Sequence, residues 1–164
     1  MDAETVWNVI QCVHYTALVL WIGGIFFVGI MVPPSVHRSM ASKAITGQIV
    51  GDCLRRLNTL EFLACFTLIA TLLLSSRFVY AEQENLIRLF LTVLMMGFMT
   101  SVYRFYLTPK LNWIRENTPT LDDLSGSHPE KKKFRSFHRS YVYLIFLNFL
   151  FGLFVLYGSI VWIR

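Results

Sequence analysis

Long apolar runs separated by short polar connectors dominate this chain, and the alternation predicts four helices that cross a membrane. Residues 5–32 pass 28 positions without one charged side chain. About 20 apolar residues suffice to cross a hydrocarbon core as a helix, so this run spans it with room for tilt. The pattern predicts helices at about 5–32, 57–76, 85–108 and 136–163, in one domain covering 1–164. The first ends at Pro33-Pro34, a pair that cannot continue it, and the third ends before Pro109. Residues 44–57 are helix-compatible and extend the second helix below the membrane. The connector at 109–135, with Pro, Ser, Gly and Lys131-Lys132-Lys133, reads as polar surface. The fold class is therefore all-α, an integral membrane bundle of four transmembrane helices. The short connector between helices two and three requires them to be adjacent and antiparallel.

Composition agrees. Hydrophobic residues make up 55% of the chain and charged residues 15%, against about 25% charged in a soluble domain; the mean hydropathy is +0.53. Asp2 and Glu4 stand where a secretory signal would be basic, so the first helix is expected to stay in the mature protein. The net charge of +5 does not point to nucleic acid, because its basic residues flank apolar spans. Twelve of the fifteen Lys and Arg fall in or beside the first and third connectors, leaving Arg77, Arg88 and Arg164 for the opposite side. The positive-inside rule places connectors 33–56 and 109–135 in the cytoplasm and both termini outside. Trp7, Tyr80, Tyr157 and Trp162 then mark the outer interface. Cys12, Cys53 and Cys65 form no CxxC pair and read as small buried hydrophobes or lone thiols. P-loop, GxGxxG, HExxH and GxSxG motifs are absent from the sequence.

Two constellations could carry chemistry. In the outer half, His14 lies about 12 Å below the end of helix one, counting 1.5 Å per residue. Met95 and Met96 reach about 15 Å depth on helix three by the same count, and Gly152 of helix four lies at a similar level. An imidazole, a thioether and a glycine at one depth would suit haem b or Cu(I). Along helix one, His14, Ala17, Trp21, Gly24 and Val28 share a face. The plain alternative is that His14 hydrogen-bonds a neighbouring helix while the Met and Gly residues pack the bundle.

The inner half is denser in polar groups: Glu61, Tyr103, Arg104, His138 and Arg139, with Arg55, Arg56 and Asn58 nearby. A carboxylate within a membrane normally pairs, and Arg104 is the expected partner of Glu61. The cluster then forms either an ion pair that fixes helix register or a cationic pocket for an anionic headgroup, a propionate or another carboxylate. Asn148, ten residues into helix four, is a further polar side chain suited to bonding across helices. Lys131 to Lys133 reads as a solvated anchor for anionic lipid.

Several of these residues occur in a familiar order. His14 followed by Trp21-Ile22-Gly23-Gly24-Ile25-Phe26-Phe27 and Pro33-Pro34, then Tyr106-Leu107-Thr108-Pro109-Lys110, then Phe137-His138-Arg139-Ser140 with Asn148, resembles the four-helix transmembrane protein 205-like family, whose bacterial members carry a domain of unknown function. A wider likeness, in a helix-one histidine followed by Trp and Gly, extends to the copper-resistance protein D family and the HemJ-type protoporphyrinogen oxidases. The first resemblance implies a bacterial inner-membrane protein, and the HemJ-type likeness implies haem b with His14 as an axial ligand. Pro33-Pro34 and Phe137-His138-Arg139 depart from the oxidases and favour the first family.

Three roles follow as expectations. One is a non-enzymatic accessory or small-ligand-handling membrane component, with lipid, a membrane protein or a second copy as partner. The second is a haem- or tetrapyrrole-handling oxidoreductase using His14 with Met95 or Met96. The third is a copper-handling protein using the same soft ligands.

Overall fold

Four long helices make up the regular structure of the computed structural model, which describes residues 2–40, 43–78, 83–118, 120–121 and 123–163. They are α1 (Ala3–Ser39), α2 (Lys43–Ser75), α3 (Gln83–Asn117) and α4 (Pro129–Trp162). All four are long and apolar enough to cross a membrane. At 1.5 Å per residue each is about 50 Å long, against about 30 Å of hydrocarbon. Their ends therefore stand clear of the lipid core, and that is where the polar residues gather. Tyr80 and Arg164 of the sequence reading lie outside the described residues, as does the side chain of Lys43.

The helices overrun the spans predicted for them, chiefly at the connector end. Proline explains how. A proline inside an α-helix lacks the N–H that would bond one turn back, and its ring crowds that carbonyl. In α1 the residues Ile25–Met31 wind as a π-helix, and Val32–Ser39 resume α geometry with Pro33 and Pro34 in the first turn. In α3 the residues Tyr103–Leu107 do the same ahead of Thr108–Asn117, with Pro109 in the first turn. The wider turn moves the blocked carbonyls out of register with the rings. The Thr108 hydroxyl then donates to the Tyr103 carbonyl, five residues back, at 2.7 Å. Pro33-Pro34 and Pro109 are therefore bends within continuous helices, not ends.

The helix starts are set by local chemistry. Asp2 accepts the Thr5 N–H at 3.2 Å as the cap of α1, and its hydrogen bonds with Thr5 hold its carboxyl below the usual range. His128 Nδ1 accepts the Glu130 N–H at 3.3 Å ahead of Pro129, so α4 begins seven residues before its predicted start at 136. The Lys131 ammonium donates to the Leu124 carbonyl at 2.5 Å and Lys133 pairs with Glu130 at 2.9 Å. Lys131 thus ties the connector to α4, while the Lys133–Glu130 pair lies within the first turn of α4.

The bundle is an up-down-up-down ring in which α1 packs on α2 and α4, and α3 packs on α2 and α4. Antiparallel pairing is visible in the contacts: His14 meets Thr71 while Gly24 meets Leu57, and Leu89 meets Gly158 while Tyr103 meets Tyr141. The core holds Leu18, Trp21, Ile25, Leu68, Val93, Met96 and Val155. Two glycines let helices close on one another. A Cβ at Gly24 would stand 2.8 Å from Leu57 Cδ1, and one at Gly152 would stand 3.1 Å from Ile22 Cγ1. The outside of the ring is as apolar as the inside. Phe27, Leu63, Phe66 and Phe98 are more than 60% exposed, as suits a surface whose solvent is lipid.

Candidate functional site

The inner polar residues divide into a buried network and an open pocket. In the network, the Tyr103 hydroxyl donates to Glu61 Oε2 at 2.6 Å. Asn148 Nδ2 donates to the Tyr103 oxygen at 3.0 Å and to Thr100 Oγ1 at 3.1 Å, and reaches the Met96 carbonyl at 3.4 Å. The network thus joins α2, α3 and α4. Glu61, Tyr103, Thr100 and Asn148 are all buried, and Glu61 Oε1 and Asn148 Oδ1 have no hydrogen-bond partner among the described residues.

The Glu61–Arg104 ion pair expected from the charge pattern does not form. Arg104 follows Tyr103, and one residue turns a helix by about 100°, which carries its side chain off the interior face. Its guanidinium donates to Thr59 Oγ1 at 3.1 Å and lies 5.3 Å from the Phe62 ring and 5.6 Å from the Phe105 ring. Arg104 is half-buried, and Arg139, one position beyond His138, is exposed. Of the inner polar residues singled out by sequence, Glu61, Tyr103 and Asn148 share the network, His138 belongs to the pocket, and Arg104 and Arg139 lie off the interior face.

The pocket opens where the four helices end on the connector side. Its volume is about 340 Å³. Each helix contributes one side chain able to carry positive charge: His37 from α1, Arg55 from α2, Arg115 from α3 and His138 from α4. No Asp or Glu lines it among the described residues. Arg55 shares its charge with Asp52 at 2.8 Å, on the exposed side. Arg115 is held from two directions. Its guanidinium lies 5.4 Å from the Phe134 ring, and it fills the space that a Cβ at Gly47 would occupy. Phe134 also stacks on His138, with ring centres 6.0 Å apart and planes 4° from parallel. Val50, Leu54 and Leu111 add apolar wall.

The floor of the pocket abuts the buried network. Asn58 and Tyr141 line it, and both are buried. Asn58 lies one turn before Glu61 on α2, on the same face. The Tyr141 ring meets Tyr103 edge-on at 5.4 Å, and its hydroxyl interacts with Asn58 and Thr108. The Asn58 Oδ1 atom has no partner.

The outer constellation is closed. His14 is 4% exposed, with Nδ1 at 2.7 Å from Thr71 Oγ1 and Nε2 at 2.9 Å from Ser159 Oγ. Each hydroxyl also reaches a carbonyl in the preceding turn, Thr67 for Thr71 and Val155 for Ser159. A neutral ring accepts a hydrogen bond from one hydroxyl, whose proton then turns away from its carbonyl, and donates its own N–H to the other hydroxyl. The cavity beside it is about 10 Å³, too small for a porphyrin.

The expected soft ligands are also misplaced. Met96 lies at the level of Asn148, and His14 at the level of Ser159. Eleven residues of α4 separate those levels, about 16 Å. Met95 is 47% exposed toward lipid. The equal depth counted from helix ends fails because those ends are staggered: His14 lies well inside α1 from its start at Ala3, whereas Ser159, level with it, lies close to the end of α4 at Trp162. Neither haem b nor copper fits His14, Met95 and Met96 as they stand. Among the described residues, no three His, Cys, Asp or Glu gather to hold a metal ion.

His37 and Arg115 went unnamed in the sequence reading, as did Thr71 and Ser159. The first two lie past the prolines, where the sequence reads as connector. The other two are hydroxyls on apolar helices, which ordinarily bond their own backbone one turn back. Comparison with known proteins adds family but no role. No curated protein and no solved structure matches the chain. Residues 16–118 match a family model described as a domain of unknown function, DUF4149.

Proposed function

We propose that this chain, which belongs to the DUF4149 family, is a membrane protein that binds a small anionic group in the pocket where its four helices end. The single observation behind this reading is the convergence of His37, Arg55, Arg115 and His138, one from each helix, on a space without a lining carboxylate. Such a set attracts an anion by charge and can meet it with directional N–H donors. The helix ends stand at the depth of lipid headgroups, and Tyr106, Trp113 and Tyr143 are exposed on the same end of the bundle. Lipid is accordingly the natural source of the anion. The basic connectors orient this end toward the cytoplasm of a bacterial inner membrane. The role this supports is binding or handling of that group. The likeness to the transmembrane protein 205-like family, which runs through helices one, three and four and includes His138, supports a membrane accessory role, whereas the cofactor sites implied by the copper-resistance protein D and HemJ-type likenesses do not fit the residues here.

The test is native mass spectrometry of the full chain in neutral detergent, titrated with anionic and with zwitterionic lipid. Anionic lipid should be retained at one per chain, and Arg115→Gln should weaken it about tenfold, the loss of one charge-assisted contact. Equal retention of both lipid types would overturn the proposal.

A further inference from the structure

Four buried side-chain atoms have no hydrogen-bond partner among the described residues: Trp21 Nε1, Asn58 Oδ1, Glu61 Oε1 and Asn148 Oδ1. They belong to one layer of the bundle. Asn58 and Glu61 stand one turn apart on α2, and Asn148 connects to Glu61 through the Tyr103 hydroxyl. On α1, Trp21 stands between His14, level with Thr71, and Gly24, level with Leu57, which sets it at the level of Glu61. A Cβ at Gly152, one turn from Asn148, would meet the Trp21 ring at 3.4 Å. Three of the four atoms are acceptors and one is a donor, so they cannot satisfy one another. They expose essentially no surface, and neither water nor a molecule in the pocket can supply the missing donor.

Glu61 shows a second deficit. It is the only buried carboxyl among the described residues, and no Lys, Arg or His among them stands within ion-pair distance of it. The titratable groups that face it are Tyr103 from α3 and Tyr141 from α4, and α1 faces the layer with Trp21. A carboxylate held by one hydrogen bond and no cation is costly inside a membrane bundle, and such a group sheds its charge. One proton resolves both deficits. On Oε1 it turns an acceptor into a donor, so that two donors, on Trp21 and Glu61, answer two acceptors, on Asn58 and Asn148. A proton also needs no cavity. We infer that Glu61 is a proton-binding site, a neutral carboxylic acid at neutral pH with its proton on Oε1 and the Tyr103 hydroxyl donating to Oε2. On the outer side Leu18, Leu68, Val93 and Val155 separate it from His14, whereas Asn58 and Tyr141 join it to the pocket floor, so the proton exchanges on the pocket side. The site stands whatever the pocket binds.

Infrared difference spectroscopy of the full chain in lipid bilayers at neutral pH tests it, because a carboxylic acid and a carboxylate absorb in separate regions. The parent protein minus Glu61→Gln should show the carbonyl stretch of a protonated acid. Tyr103→Phe should move that band to higher frequency, since the carbonyl loses its donor, a change that packing alone does not produce. Prolonged exposure to heavy water should move it to lower frequency as the proton exchanges. Carboxylate bands in place of the acid band would overturn the inference, and a band unmoved by Tyr103→Phe would overturn the assignment of Oε2 as the carbonyl oxygen. An acid band unmoved in heavy water would overturn the exchange on the pocket side. Where Glu61→Gln does not fold, glutamate carrying a heavy-carbon label at its side-chain carboxyl gives the same reading on the unaltered protein. An acid band that moves with the label supports the site, and a glutamate signal confined to the carboxylate region overturns it.

Discussion

The Tyr103 hydroxyl holds Glu61 at 2.6 Å, in the place that charge alone would give to Arg104. Inside a bundle the nearest donor on the correct face matters more than the nearest opposite charge one residue away. Arg104 can reach water or headgroups by extending along α3 and stacking on Phe62 and Phe105. Glu61 has no such route.

Glu61 and Tyr103 should therefore be energetically coupled. In a double-mutant cycle, Glu61→Gln and Tyr103→Phe are expected to show a coupling of about 1 to 2 kcal/mol. Glu61→Gln combined with Arg104→Gln should instead be additive within about 0.5 kcal/mol. Reversible unfolding in mixed micelles reads both cycles, and strong coupling to Arg104 would restore the ion pair.

His14 should matter to stability and not to colour. Protein purified from cells supplied with haem is expected to show no stoichiometric Soret band. His14→Ala should lower stability by about 1 to 3 kcal/mol, as two buried hydroxyls lose their partner. A Soret band in the parent that disappears in His14→Ala would make the imidazole an iron ligand after all.

Gly47 should control Arg115. A methyl group there overlaps the guanidinium, which sits at the end of a flexible side chain and can give way. Gly47→Ala is expected to leave the fold intact, displace Arg115 from Phe134 and weaken anionic lipid binding about tenfold. Unchanged lipid retention in that variant would remove Arg115 from the pocket's chemistry.

The orientation can be read by labelling. In a variant with Cys12, Cys53 and Cys65 replaced by serine, Ser76→Cys should react with a membrane-impermeant maleimide on intact cells. Ser127→Cys should react only after lysis. The reverse pattern would place the basic end outside.

How far the sequence carried the reading depended on the kind of signal. Four spans were legible because each is an uninterrupted apolar run, and their antiparallel order followed from short connections. Glu61, Asn148 and His138 stood out because polar groups in apolar helices are rare. Their partners were harder to see. Thr71 and Ser159 differ little from packing residues until a facing helix is placed against them, and Tyr103 was grouped with Glu61 without being recognised as its donor. His37 and Arg115 were hidden by a local rule applied too strictly: proline forbids α geometry one turn back, but it does not forbid a wider turn. The depth count for His14 and Met96 failed for a related reason, since the helix ends are not level with one another.

Each π turn amounts to one added residue in an otherwise regular repeat. Beyond it, every side chain is rotated by about 100° relative to an unbroken helix. Past Leu107, Ile114 still faces the interior, while Thr108, Leu111, Asn112 and Arg115 at the neighbouring positions line the pocket. His37 reaches the same pocket from beyond the π turn of α1. Two short irregularities thus carry α1 and α3 past their prolines, so that His37 and Arg115 reach the pocket on helices that would otherwise end before them. Removing a single residue from Tyr103–Leu107 would leave the composition of α3 nearly unchanged and point its charged end in another direction.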